Sequence, residues 1–140
     1  MLPAEQAKIS VFDRGFLFGD SVYEVIPFYQ GRGFRLPEHL QRLEHSLKAV
    51  QIKVEFDWQS ILQQLVVANG GGNLSVYLQV SRGVAEGRSH SYDDSMQPTV
   101  FACCNPIRDI YQGGAEQVAG ISAIVTADLR WHRCDIKSTG

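Results

Sequence analysis

No hydrophobic run in these 140 residues approaches the roughly 20 needed to cross a bilayer as a helix. The first residues hold neither the basic nor the apolar region of a signal peptide, which predicts a cytoplasmic location. Cysteine is scarce: Cys103, Cys104 and Cys134 make an odd count of three, two of them adjacent, with no Cys-x-x-Cys or other metal-ligand spacing. That usage excludes a disulfide scaffold, predicts no metal site and fits a reducing compartment. An excess of one charge is also missing. A net charge of −2 leaves no footprint for nucleic acid or an anionic membrane, so neither is expected as a partner. Repeats and low-complexity segments are absent. Lysine is the last scarcity, with four against nine arginines. The guanidinium fork suits carboxylate and phosphate, so the bias points to a small anionic ligand or, more plainly, to ordinary surface ion pairs.

What is present is an ordinary globular composition, 44% hydrophobic and 20% charged, in a length that suits one domain with a real core. "SVYEVIPFYQG" followed by "RGFRL" reads as a β-hairpin, with Gly31 and Gly33 in the turn. Pro27 inside the first strand predicts a bulge or an edge position. "PEHLQRLEHSLKAVQI" spaces Leu40, Leu43, Leu47 and Val50 by three and four, with Pro37 in the first turn, and predicts a helix with one buried face. Asp57 caps a second helix carrying Trp58, Ile61, Leu62, Leu65 and Val66, which the glycines at 70–72 end. "LSVYLQVSRG" alternates Leu74, Val76, Leu78 and Val80 as a strand, and "TVFACCNP" reads as another.

The fold expected is α+β. A small N-terminal domain of antiparallel sheet and two helices covers residues 1–107, and 108–114 form an interdomain linker. Residues 115–140 hold the first strands of a second domain, too little to bury a core, so the chain reads as truncated.

Several residues are candidates for chemistry, each with a plainer reading beside it. Lys137, taken alone, is a surface charge. Arg88 and His90, two apart, would share a face if the segment were a strand and grip one carboxylate; otherwise they belong to a solvated loop. His39 and Arg42 lie one helical turn apart, as a site or as a polar flank. Asp13, Arg14 and Asp20 in "DRGFLFGD" suggest a turn with a local ion pair.

Taken in order, "DRGFLFGDSVYEV", "LPEHLQRLEHS", "SRGVAEGRSH" and "DLRWHRCDIKST" resemble the fold-type IV (class IV) pyridoxal-phosphate aminotransferases, most closely the D-amino acid (D-alanine) branch. The resemblance runs from about residue 9 to the last residue. It implies that Lys137 is the lysine that joins pyridoxal 5'-phosphate covalently and shuttles the α-proton. It implies that Arg42 binds the cofactor phosphate, with His39 behind it. Tyr23, Arg88 and His90 match the trap for the substrate carboxylate, and Val25 the wall of the same pocket. In that family the arginine and histidine come from the neighbouring subunit, so a homodimer acting on an amino acid and a 2-oxo acid is implied. The family also implies a further domain beyond this sequence, without which the chain is expected to be an inactive N-terminal fragment. Two other readings stay open: a branched-chain aminotransferase or aminodeoxychorismate lyase of the same fold, and a non-catalytic α+β interaction module.

Overall fold

In a computed structural model, residues 1–107, 120, 122–126 and 134–140 are described. The expected linker at 108–114 and most of the apolar stretch after it, Arg133 included, lie outside the described residues.

The chain first forms a 3₁₀ turn at Ala4–Gln6 and a five-residue helix, α1, at Arg14–Phe18. Strands β1 (Ser21–Tyr29) and β2 (Arg32–Gly33) follow, then helices α2 (Leu36–Ala49) and α3 (Trp58–Ala68). Strands β3 (Leu74–Ser81) and β4 (Thr99–Pro106) complete one antiparallel sheet in the order β2-β1-β3-β4. The mixed α+β architecture is therefore the one the apolar periodicities imply. Helix α1 is the addition: five residues are too few to register as a period. It forms because the Asp13 carboxylate accepts the Gly15 amide at 2.8 Å and Gly19 closes it in the left-handed conformation, φ 65°.

The hairpin turn differs slightly from the expectation. Tyr29 pairs with Arg32, so the loop is the two residues Gln30 and Gly31, both at positive φ (51° and 74°). This double left-handed geometry is the one that matches strand twist in a two-residue loop. Gly33 sits in β2 instead, where a Cβ would come within 3.0 Å of the Leu36 Cβ. The chain then turns at Arg35 (φ 50°) into α2, which ends the strand character of "RGFRL" early.

Strand β1 lies between β2 and β3, so Pro27 is not in the edge strand expected of it; on the β2 side its carbonyl accepts the Phe34 amide at 2.8 Å. Its pairing with Ser75 lies in an uninterrupted β1–β3 register, so there is no bulge. The Tyr23 amide points outward from β3 to the Lys137 carbonyl. By the two-residue period of a strand, the nitrogen of Pro27 points the same way and costs the β3 ladder nothing.

Alternation in β1 and β3 sends Val22, Ile26, Phe28, Leu74, Val76, Leu78 and Val80 to the helix-covered face, where they meet Leu43, Leu47, Leu62 and Val66 in one core. Asp57 caps α3 by accepting the Ser60 amide at 3.1 Å. The other sheet face carries a row of rings. Tyr23 stacks on Tyr77 with centroids 5.7 Å apart, and Tyr77 meets Phe101 at 6.3 Å. Strand β4 runs through Asn105 and Pro106, opposite Ser75 and Leu74, as the reading of "TVFACCNP" expects. As an outer strand it tolerates polar residues and a terminal proline.

Candidate active site

The site forms where residues 136–140 return to the outer edge of β1. Val22 and Ser138 form an antiparallel bridge. The Tyr23 amide donates to the Lys137 carbonyl at 3.0 Å, and the Thr139 amide to the Ser21 carbonyl at 3.0 Å. From α2, the fully buried Ser46 accepts the Lys137 amide on its hydroxyl at 3.2 Å. The Thr139 hydroxyl lies 2.5 Å from that of Ser21 and donates to the Gly19 carbonyl at 2.9 Å. These bonds fix the backbone of Lys137 against a rigid strand and leave its side chain free to project. The ammonium nitrogen stands 4.1 Å from the centroid of the Tyr23 ring, where the negative π-face favours a cation.

Tyr23, Arg42, Ile136, Lys137 and Ser138 line one open pocket of ≈ 310 Å³. Sequence positions more than 110 apart thus converge on one space. Val25 shares the Tyr23 face of β1 and is 41% exposed, outside the residues lining that pocket. Arg88 and His90 lie elsewhere. They belong to an exposed loop, not a strand, and both rest on Phe18: the Arg88 guanidinium carbon at 5.0 Å from its centroid, the His90 ring at 5.2 Å.

Behind the pocket stands a residue that sequence reasoning passed over. Glu24 is fully buried, yet its carboxylate accepts Arg42 Nε at 2.5 Å and Nη2 at 2.6 Å, and lies 2.8 Å from His39 Nδ1. Burial pushes the Glu24 carboxyl up, but the Arg42 and His39 hydrogen bonds outweigh it and hold the group below its ordinary value. The same pair raises Arg42. The bidentate contact aims the Arg42 guanidinium and uses neither hydrogen of Nη1, which remains as an anion donor. A signal for Glu24 existed: it falls at an inward position between Val22 and Ile26, where a carboxylate must find a cation.

The "DRGFLFGD" turn holds more than a local pair. Asp20 accepts Arg14 Nε at 2.8 Å and also takes a two-pronged contact from Arg82, through Nε at 2.8 Å and Nη2 at 3.0 Å. Burial raises the Asp20 carboxyl, and the two arginines more than reverse that, so it too lies below its ordinary value. Among the described residues, no buried side-chain nitrogen or oxygen lacks a partner.

The two carboxyls make stability depend on acid. Their folded values lie below the ordinary 3.8 of Asp20 and 4.5 of Glu24, so they bind protons more readily when unfolded. Their contribution is complete above those ordinary values and disappears as pH falls through the lower folded ones. The urea midpoint should fall steeply below about pH 4, and Glu24→Gln should flatten that dependence. An unchanged slope in the variant would show that Glu24 is not part of the acid response.

The chain belongs to the amino-transferase class IV family, whose model matches residues 21–140. It is 40% identical over 141 residues to a D-alanine aminotransferase of Bacillus licheniformis, covering 99% of this chain and 48% of that protein. The chain therefore spans about half the length of the curated relatives it matches. In structure it is similar to the branched-chain amino acid aminotransferase of Escherichia coli, with a TM-score of 0.68, 23% identity, and coverage of 83% of this chain and 40% of that one. It is also similar to a hypothetical aminotransferase from Mycobacterium tuberculosis solved in a PLP-bound form (TM-score 0.60, 25% identity, 76% of this chain, 37% of the other).

Proposed function

We propose that this chain serves in a D-amino acid aminotransferase dependent on pyridoxal phosphate, and that it carries the lysine of the reaction. The observation that carries the reading is the convergence of Lys137, Arg42 and Tyr23 on one pocket. The D-alanine preference is supported by the name of the Bacillus licheniformis relative. Residues 1–107 make up the small domain, 108–114 the linker and 115–140 the beginning of a second domain. The relatives' greater length is in keeping with a larger protein, in which the isolated 140 residues would be inactive.

The donor set fits the cofactor. Lys137 offers an amine on a fixed backbone, and Arg42 offers Nη1 toward a phosphate while Glu24 holds the rest of the guanidinium. When bound, pyridoxal phosphate supplies the electron sink that lets a C–H bond beside an amine be broken. The work of the chain is to place groups around that bond. Nζ of Lys137 takes the α-proton and returns it, the part of an amine base held in place by its own backbone. Tyr23, Arg88 and His90 hold the substrate carboxylate and so decide which α-hydrogen faces Nζ. Arg88 and His90 rest on Phe18 rather than line the Lys137 pocket, in keeping with a trap completed across two subunits of a homodimer.

The test is the visible spectrum of the full-length protein with pyridoxal phosphate, before and after D-alanine, with L-alanine and an L-branched-chain amino acid as controls. Conversion of the bound-cofactor band by the D-isomer alone is the expected result. Conversion by the L-branched-chain substrate alone would move the protein to the other branch, and no band at all would sink the Lys137 assignment. Within this scheme, Arg88→Ala should raise the KM for D-alanine and leave the cofactor band intact. Losing one partner of a charge pair at such a site costs on the order of 2–5 kcal/mol.

A further inference from the structure

The loop that carries Arg88 and His90 has no ladder of its own, yet three successive carbonyls in it converge on one buried side chain. Arg14 Nη1 donates to the Ser89 carbonyl at 2.7 Å and to the Ser91 carbonyl at 3.3 Å, and Nη2 donates to the His90 carbonyl at 3.2 Å. The third nitrogen, Nε, is taken by Asp20. Only a guanidinium has the donors and the planar reach for this set; an ammonium could not span it. The Arg14 side chain is 6% exposed, and its guanidinium carbon stands 4.7 Å from the centroid of Phe18, the ring on which Arg88 and His90 rest.

Asp20 ties this arrangement to the rest of the site. Its carboxylate is shared with Arg82, which in turn donates to the Val50 and Gln51 carbonyls at the end of α2 at 2.7 and 3.3 Å. Arg82 also stacks on Tyr92 at 3.8 Å, just past the loop. The residue after Asp20 is Ser21, whose carbonyl and hydroxyl hold Thr139 two places beyond Lys137. The close approach of chains here requires Gly83, at φ +112°, where a Cβ would lie 2.0 Å from the Gln97 carbonyl oxygen. Gly83 also accepts the Arg14 amide on its own carbonyl at 2.9 Å.

We propose that Arg14 is the positioning residue of the 88–91 loop: it gathers the Ser89, His90 and Ser91 carbonyls and so fixes Arg88 and His90 on Phe18. Asp20 then refers the substrate trap and the Lys137 strand to a common anchor. The role in catalysis rests on the trap reading above; the role in holding the loop does not. A loop released from this clamp would present the same two side chains in many geometries, and misplacement of binding groups weakens capture without altering the chemistry that follows.

Arg14→Lys keeps the charge beside Asp20 and loses the fork. In the full-length protein with pyridoxal phosphate, hydrogen exchange at the Ser89 amide, which donates to the Gly87 carbonyl at 3.1 Å, should quicken about tenfold or more as the loop is released, the scale of losing one or two charge-assisted bonds. Amides of β1 and β3 should keep their rates. The KM for D-alanine should rise by a similar factor, with kcat and cofactor absorbance within about twofold of the parent. Unchanged loop exchange would overturn the clamp. A loosened loop with unchanged KM would overturn its link to capture, provided that Arg88→Ala does raise KM. If Arg88→Ala does not, it is the trap reading that has failed, and loop exchange alone judges Arg14. Should Arg14→Lys not fold, Phe18→Leu removes the platform with little change in volume and is expected to raise KM in the same manner; no change there would count against the arrangement.

Discussion

Lys137→Ala in the full-length protein is expected to abolish the visible band of bound cofactor and to lower transamination by at least 10²–10⁴-fold, roughly the share that a positioned proton carrier contributes. Folding should be almost unaffected. The Lys137 backbone makes the contacts that matter to the strand, its amide to Ser46 and its carbonyl to the Tyr23 amide, and alanine preserves both. Among the described residues, only the contact between Nζ and the Tyr23 ring is lost. An unchanged circular dichroism spectrum and an unfolding free energy from urea titration within about 1 kcal/mol of the parent would establish that point. Normal turnover in the variant would end the assignment of Lys137, and with it the reading of the pocket as an active site.

Arg42→Ala should have the second largest effect, and on two quantities at once. Glu24 is fully buried, and without Arg42 it keeps only His39. Removing one member of a buried pair strands the other. The expected cost is about 3 kcal/mol, the lower end of the range for such pairs, because the Arg42 side chain is itself 47% exposed. Cofactor affinity should fall as well. The two effects separate in the double variant Glu24→Leu/Arg42→Met, which replaces the pair with apolar groups that suit the neighbours Val22 and Ile26. Stability should recover, since such replacements are often neutral, while pyridoxal phosphate titrated by absorbance should still bind weakly. Recovery of both would mean that Arg42 acts on the cofactor only through the fold.

Much of this architecture is legible without coordinates. The leucines of α2 and the alternation of β3 announce their elements because burial imposes periods of 3.6 and 2 on apolar residues. Asp57 caps α3 as its chemistry suggests. Where periodicity has too few residues to act on, the signal fades: α1 is five residues long, and β2 only two. The strand read from "TVFACCNP" forms over those residues, and its polar end is tolerated because an outer strand need not be apolar.

The site divides along a similar line. The candidates Lys137, Arg42, Tyr23, Arg88 and His90 can be picked out from the order of short motifs that resemble the family. The supporting residues cannot, with Glu24 and Arg82 as the clearest cases. A buried carboxylate or guanidinium declares itself only through what it faces, and Glu24 meets Arg42 across 18 positions, Asp20 meets Arg82 across 62, and Arg14 meets Ser89 across 75. The sequence by itself determined the longer elements and the α+β class, because these depend on local propensity, and the candidate chemistry through the order of motifs that resemble the family. Only the tertiary structure decided which charges are paired, how the strand of Lys137 is held, and that the carbonyls of the Arg88 loop meet Arg14. Those outcomes follow from contacts between segments far apart in the chain, which no local pattern encodes.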